Sequence, residues 1–405
     1  MGTTEGQGRQ GGPWAVMKAV ALTTVTVSPT FLIGALAVQI RDDMPLGPVG
    51  IGAAAAIMFG VGALVAKPSG MVIQRAGHRR GMIATAAVSA VALLGIATAP
   101  DFAWLAVWLA VAGIGNALGQ PTTNLGISQA VAPARLALAF GIKQASIPTA
   151  TLLGGLAVPG VALLFGWRWA FAAASVLACA VSLWAVLAGS AIPSAPPDGE
   201  RPQRDAGIPG SALVLLSAGG GVAAAAATTL GIFLVDSVVD SGIEPAAAGF
   251  LFSGAALLGL SSRVGLGALM DSRRHWSPYA LICCLLVLGA AGFALLGLGR
   301  TWAIILGAAL AYGAGWAWPG LLHYAVVRDH LNSAATATGS LQIGLSLGAA
   351  AGPLAFGVLA QHTSYPVAWT VAAGGLAVAA VIIRAAHALV RRDRRRRDAL
   401  VPAAD

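Results

Sequence analysis

The chain has 405 residues, 57% of them hydrophobic and 10% charged, with a formal net charge of +9. A mean hydropathy of +0.80 excludes an ordinary water-soluble fold, in which about 25% of residues are charged. The basic excess does not indicate nucleic acid. Lys and Arg lie in short loops between apolar runs and in a terminal cluster, the pattern that orients a membrane protein.

Taken in chain order, apolar runs long enough to cross about 30 Å of hydrocarbon predict spans at residues 17–40, 48–67, 81–99, 103–125, 138–163 and 168–190. Further runs predict spans at 211–236, 246–266, 277–297, 302–325, 338–360 and 367–390. The first run is longer than a signal-peptide core and lacks an evident cleavage site, so it is expected to stay as the first span. Between the two sets, the segment from Ser194 to Arg204 is polar and proline-rich and cannot continue a helix. The expectation is an all-α membrane protein with twelve transmembrane helices in two pseudo-symmetric six-helix bundles. Its parts are a tail at 1–16, a first bundle at 17–192, a linker at 193–210, a second bundle at 211–390 and a basic tail at 391–405.

With a cytoplasmic amino terminus, only Arg41, Arg168 and Arg300 fall in outer loops. Arg75, Arg79, Arg80, Arg135, Arg201, Arg204, Arg273, Arg274, Arg328 and the arginines of 391–397 fall inside. The chain is thus expected in the cytoplasmic membrane with both termini cytoplasmic. Cys179, Cys283 and Cys284 sit in apolar runs without metal-ligand spacing, so no metal or cofactor is expected.

The two halves also resemble each other at a shift of about 197 to 198 residues. Gly34 pairs with Gly231, Asp43 with Asp240, Pro48 with Pro245, Gly52 with Gly249 and Gly70 with Gly267. Pro121 pairs with Pro319, Gly141 with Gly339, Gln144 with Gln342 and Gly154 with Gly352.

After the second span, Gly70-Met-Val-Ile-Gln-Arg75-Ala-Gly77-His-Arg79-Arg80 resembles the signature loop of the major facilitator superfamily (MFS), Gly-x-x-x-Asp-Arg-x-Gly-Arg-Lys. Gly267-Ala-Leu-Met-Asp271-Ser-Arg273-Arg274 looks like its counterpart in the second half. The resemblance implies the MFS fold, a substrate site between the halves, and a cytoplasmic latch made by Gly70, Arg75, Gly77, Arg79, Gly267, Asp271 and Arg274. In such a latch glycine permits a tight turn, and the acid and arginines bond across the halves or to a helix terminus. Gln74 stands where the family has its acid, whereas Asp271 retains it. The alternative is that Arg75, Arg79 and Arg80 serve only inside-positive topology.

Within the spans, Asn116, Gln120 and Asn124 recur at four-residue steps and share one face of the fourth helix. Thr23, Thr26 and Thr30 on the first span, and Thr338, Gln342 and Ser346 on the eleventh, add polar faces that must point to other helices or to a wet cavity. Lys143 and Gln144 stand near the start of the fifth span. Lys143 either attracts an anionic substrate or snorkels to water. In the tenth span Tyr312, Trp316 and His323 share a face beside Trp318-Pro319-Gly320, which can bend the helix. Trp316 and Trp318 suit an aromatic cavity wall, and His323 is a candidate proton carrier or an interfacial residue. Asp236, toward the outer end of the seventh span, is a candidate proton site or a wetted helix end.

These residues imply a proton-linked secondary transporter for a small organic, anionic solute, acting as a monomer in the lipid bilayer by alternating access. The alternatives are an efflux transporter for drugs or secondary metabolites, and a non-transporting membrane sensor. The fourth span lacks the arginine of the superfamily's drug/proton antiporters, and although the fifth offers Gly154-Gly155 and Pro159-Gly160, the closer match to their glycine-proline signature, Gly344, Gly348, Gly352-Pro353 and Gly357, lies in the eleventh. No nucleotide-binding loop or nucleophile-base constellation is evident, so an enzyme is not expected.

Overall fold

The computed structural model describes residues 12–132, 135–187, 209–273, 275–329 and 334–400. The linker at 193–210 therefore falls almost wholly outside the described residues. Helix dominates because hydrocarbon offers no partner for backbone N–H and C=O groups, so each spanning segment must satisfy its own. In the first half α1 is Gly12–Ala35, continued past a hitch at Leu36 by Ala37–Asp43. A single helical run, Pro48–Ala97, follows; its 50 residues would reach about 75 Å at 1.5 Å per residue, far more than a membrane needs. Gly77, at φ 81°, divides it into α2 (48–76) and α3 (78–97). Then come α4 (Phe102–Ala130), α5 (Leu138–Phe165) and α6 (Trp167–Leu187). Asp101 caps α4 by accepting the Trp104 N–H at 2.8 Å.

The second half holds α7 (Gly210–Asp240), α8 (Pro245–Ser272), α9 (Pro278–Leu296), α10 (Thr301–Asp329), α11 (Ala337–His362) and α12 (Tyr365–Leu400). Twelve apolar segments thus cross the described residues, at the positions expected from the sequence. The last helix runs on through the arginine cluster rather than ending at 390. α1 and α7 are each 78% buried over their most apolar window and form the centre of the molecule. α2, α6 and α9 instead expose Leu64, Val176 and Val287, an outer surface that suits lipid.

The halves meet by close backbone approach. A Cβ added to Gly34 would lie 2.5 Å from the Ile232 carbonyl oxygen, one on Gly52 2.4 Å from that of Pro353, and one on Gly357 2.3 Å from that of Pro48. α5 and α8 cross with Gly155 against Gly249 at one end and Gly141 against the Arg263 backbone at the other. Small residues let helices approach without a hydrophobic driving force between them.

Candidate functional site

Two charged clusters close opposite ends of the seam between the halves. At the end bearing the α1–α2 connection, Arg41 Nη2 lies 2.8 Å from Asp236 Oδ2, and the Tyr365 hydroxyl donates to the same oxygen. Asp236 is only 2% exposed, so it is not a wetted helix end. It ties the end of α7 to α12 and to the first half, and it lies away from the other candidate site residues. Nearby, Asp43 accepts from the Trp167 indole at 2.9 Å and from Arg168, all within the first half.

At the opposite, basic end, Asp271 Oδ2 accepts the Leu138 N–H at 3.1 Å. The carboxylate of α8 thus caps the positive N-terminus of α5 across the seam. Arg79 donates to the carbonyls of Ala185 and Val186 at the end of α6, at 3.3 and 2.8 Å, and so stays within its own half. Arg75 is exposed, and Gly70 faces open space, whereas Gly267 packs beside Gly141. Arg274 lies outside the described residues.

Between these ends sits a polar and aromatic core. The face of α4 delivers Gln120 and Asn124 to Lys143 of α5, whose ammonium donates to Gln120 Oε1 at 2.9 Å and Asn124 Oδ1 at 2.6 Å. Lys143 is 2% exposed, so it does not snorkel. Asn116, one turn before Gln120 on α4, has a buried Oδ1 without a hydrogen-bond partner, and the hydroxyls of Thr23 and Thr85 are likewise buried and unpartnered. α5 is interrupted at Ala145, between Leu136–Gln144 and Ser146–Ala157.

Arg263 of α8, which sequence reasoning missed, reaches this place from the second half. It is 2% exposed; Nη1 donates to the Gln144 carbonyl, while Nε and Nη2 donate to that of Trp316 at 2.9 and 2.6 Å. The Trp316 carbonyl is available because α10 is broken here. A π-helical turn at Ala311–Gly315 leads to Trp316 at φ −116°, and Pro319 restarts the helix without an N–H to offer. The Arg263 guanidinium also lies 5.4 Å from the Trp316 ring centroid. Phe31 and Tyr312 pack on Trp316 at 5.5 and 5.4 Å between centroids, and Phe252 packs edge-on against Tyr312 at 5.9 Å.

His323 is buried rather than interfacial. Its Nδ1 lies 2.8 Å from the Pro319 carbonyl oxygen, with Lys143 and Gln342 as neighbours. Gln342 also donates to Ser346 at 3.2 Å. Trp318 is buried with its indole N–H unpartnered. The structure therefore gathers Gln120, Lys143, Gln144, Trp316, His323 and Gln342, with Arg263 as the unforeseen member. The signal that could have found Arg263 was its position within the eighth span, since an ionisable residue there is a functional candidate by default. Among the described residues, the hydrogen-bond acceptors recorded for the Lys143 ammonium and the Arg263 guanidinium are neutral amides and carbonyls.

Similar architecture occurs in the crystal structure of a bacterial homologue of the human lysosomal transporter Spinster, inward-facing and unoccupied. That match has a TM-score of 0.66 at 19% identity, covering 95% of this chain and 97% of that one. The inward-facing, occupied form matches with a TM-score of 0.64 at 18% identity and the same coverage. No curated protein matches the chain. The family model described as Major Facilitator Superfamily matches residues 19–343. With that match over most of the chain and the twelve-segment fold behind it, the chain belongs to the Major Facilitator Superfamily.

Proposed function

We propose that this chain is a secondary transporter that moves a small organic anion by alternating access, with Lys143 and Arg263 as the groups that attract it. The observation behind this reading is two buried cations held by neutral acceptors, one from each half. A buried charge is costly unless an opposite charge compensates it, so this place favours an anion. The aromatic cluster of Phe31, Tyr312 and Trp316 suits an apolar or aromatic body on that anion. Gln144 and Gln342 supply polar contacts from repeat-related positions, and Asn116 offers an unpartnered buried atom to orient it. One chain supplies the whole site, so a monomer suffices.

Proton linkage belongs to the same proposal. His323, beside Lys143, carries a proton whose charge favours anion binding and whose departure favours release, while Asp236 holds the opposite end shut through Arg41 and Tyr365. The basic end is cytoplasmic in this reading, as inside-positive loops require. The aromatic cluster also favours a second reading, efflux of apolar drugs or metabolites.

The test is flux in proteoliposomes with a panel of organic anions, neutral analogues and cations, with and without an imposed proton gradient. Anion flux should rise with the gradient and fall at least about tenfold in Lys143→Gln, the equivalent of about 1.4 kcal/mol, while the protein stays monodisperse. Equal flux of neutral or cationic solutes, unchanged in Lys143→Gln, would overturn the anion reading in favour of efflux.

A further inference from the structure

A second place rich in positive charge lies at the basic end of the second half, apart from the seam. A cavity of about 320 Å³ occupies the corner between the α8–α9 turn, the end of α10 and the side of α12. His275, Ser277, Arg328, His387 and Arg391 contribute polar groups to it, and among the described residues none of those lining it is acidic. Arg328 is steadied from behind by Asp329, whose Oδ1 lies 3.2 Å from its Nε; Asp329 is 2% exposed and also accepts the Tyr279 hydroxyl at 2.9 Å. The acid thus orients the arginine from beneath the cavity. Ser277 caps the 19-residue helix α9, accepting the Ala280 N–H at 3.5 Å, and its Oγ lies 3.2 Å from His387 Nε2, so these two cavity-lining groups hold each other in place.

The repeat shows that this corner is a departure rather than a property of the fold. At the 197-residue register His275 corresponds to His78, and Trp276 to Arg79. In the first half Arg79 spans the corner and donates to the last carbonyls of α6, whose described helix ends at Leu187. In the second half Trp276 stands there instead and is 42% exposed, at the level where membrane proteins place amphipathic aromatics. α12 continues past the corner and brings Arg391 to its mouth. An internal cap in one half has become a cationic recess in the other.

We propose that this recess binds a phosphate group, either the headgroup phosphate of an anionic phospholipid or that of a small phosphorylated solute. Several donors converging on a small volume match the tetrahedral set of phosphate oxygens, with arginine forks giving the strongest contacts. Basic recesses between membrane helices are suited to anionic headgroups.

The full chain, purified and delipidated, would be titrated with inorganic phosphate against sulfate at equal ionic strength. In parallel it would be reconstituted in phosphatidylglycerol or phosphatidylcholine nanodiscs, with retained lipid read by native mass spectrometry. Arg328→Gln and Arg391→Gln would be compared with Arg395→Gln, an exposed arginine of α12 outside the recess. Retention of phosphatidylglycerol falling at least fivefold in the two recess variants, but not in Arg395→Gln, supports the lipid form. Thermal protection by millimolar phosphate but not sulfate, lost in the same variants, supports the solute form. Equal losses in all three variants would mean diffuse attraction and overturn the proposal, as would absence of both responses in the wild type.

Discussion

The two halves share a register and differ in nearly every residue that does chemistry. Gln120 on α4 corresponds to Trp318 on α10, and Lys143 on α5 to Leu341 on α11. The first half therefore presents amides and an ammonium, and the second presents indoles and a guanidinium bonded to the broken backbone of α10. Rocking of one bundle against the other needs matched backbone surfaces, which glycines provide at Gly34, Gly52, Gly155 and Gly357. Polar side chains at the centre carry no such constraint and are free to diverge. Apart from the glutamines Gln144 and Gln342, what the halves hold in common is thus a scaffold, and what they do not share defines the site.

The largest effect should come from breaking the scaffold where the halves pack differently. Gly348 on α11 sits so close to α7 that an added Cβ would lie 1.9 Å from the Gly221 carbonyl oxygen, a backbone atom with no room to yield. Its repeat counterpart is the buried Ala150, on α5, which packs toward α1 around Thr24 and Ser146. Overpacking a close-packed interior costs about 1–3 kcal/mol and sometimes more. Gly348→Val should therefore abolish a monodisperse peak on size exclusion or lower the melting temperature sharply. Ala150→Gly should cost about 1 kcal/mol. Equal losses in the two variants would show that the α1–α5 and α7–α11 packings do not differ as described.

A smaller contrast separates the two occupants of one register position. Gln120→Leu removes an acceptor from the buried Lys143 ammonium, and a hydrogen bond to a charged group is worth about 1.5–3 kcal/mol. Transport should fall about tenfold or more. Trp318→Phe discards an indole N–H that has no partner together with some packing volume but no recorded polar contact, so it should change flux less than threefold. Initial rates in proteoliposomes measure both, and a Trp318→Phe loss as deep as that of Gln120→Leu would mean that the aromatic half contributes polar recognition as well.

Most of the fold was legible in the sequence, because hydrocarbon thickness and backbone satisfaction leave few alternatives to runs of apolar residues at regular intervals. The amide face of α4 was legible too, since four-residue spacing fixes a helix face. Its partnership with Lys143 was not, because a lysine one turn from a boundary can either snorkel or turn inward, and only the placement of α4 against α5 decides. Arg263 escaped for a related reason. Near the end of an apolar run beside Ser261 and Ser262, a long arginine gives no sign of its partner until the break in α10 supplies a carbonyl for it. Asp236 gave no local sign of its partners, which stand 195 and 129 residues away at Arg41 and Tyr365.

The smallest expected effect distinguishes two carboxylates at the same end of the molecule. Asp236 joins the halves, whereas Asp43 is bonded only within the first. The Trp167 indole N–H, and then the Arg168 guanidinium, hold the Asp43 carboxyl below its usual range near about 3.9. A carboxylate with a lowered folded-state value stabilises the protein above its unfolded value, and that contribution fades as pH falls through the folded one. Because Asp43 is 43% exposed, solvent screening limits the contribution to under about 1 kcal/mol. Asp43→Asn should therefore lower the melting temperature by only about 1–2 °C at pH 7, with the gap from wild type closing below about pH 4 as the native carboxylate protonates. Thermal scans of both proteins across that range measure it. A gap that widens on acidification would show that Asp43 is stabilised in its protonated form and that its bonds to Trp167 and Arg168 do not hold a carboxylate.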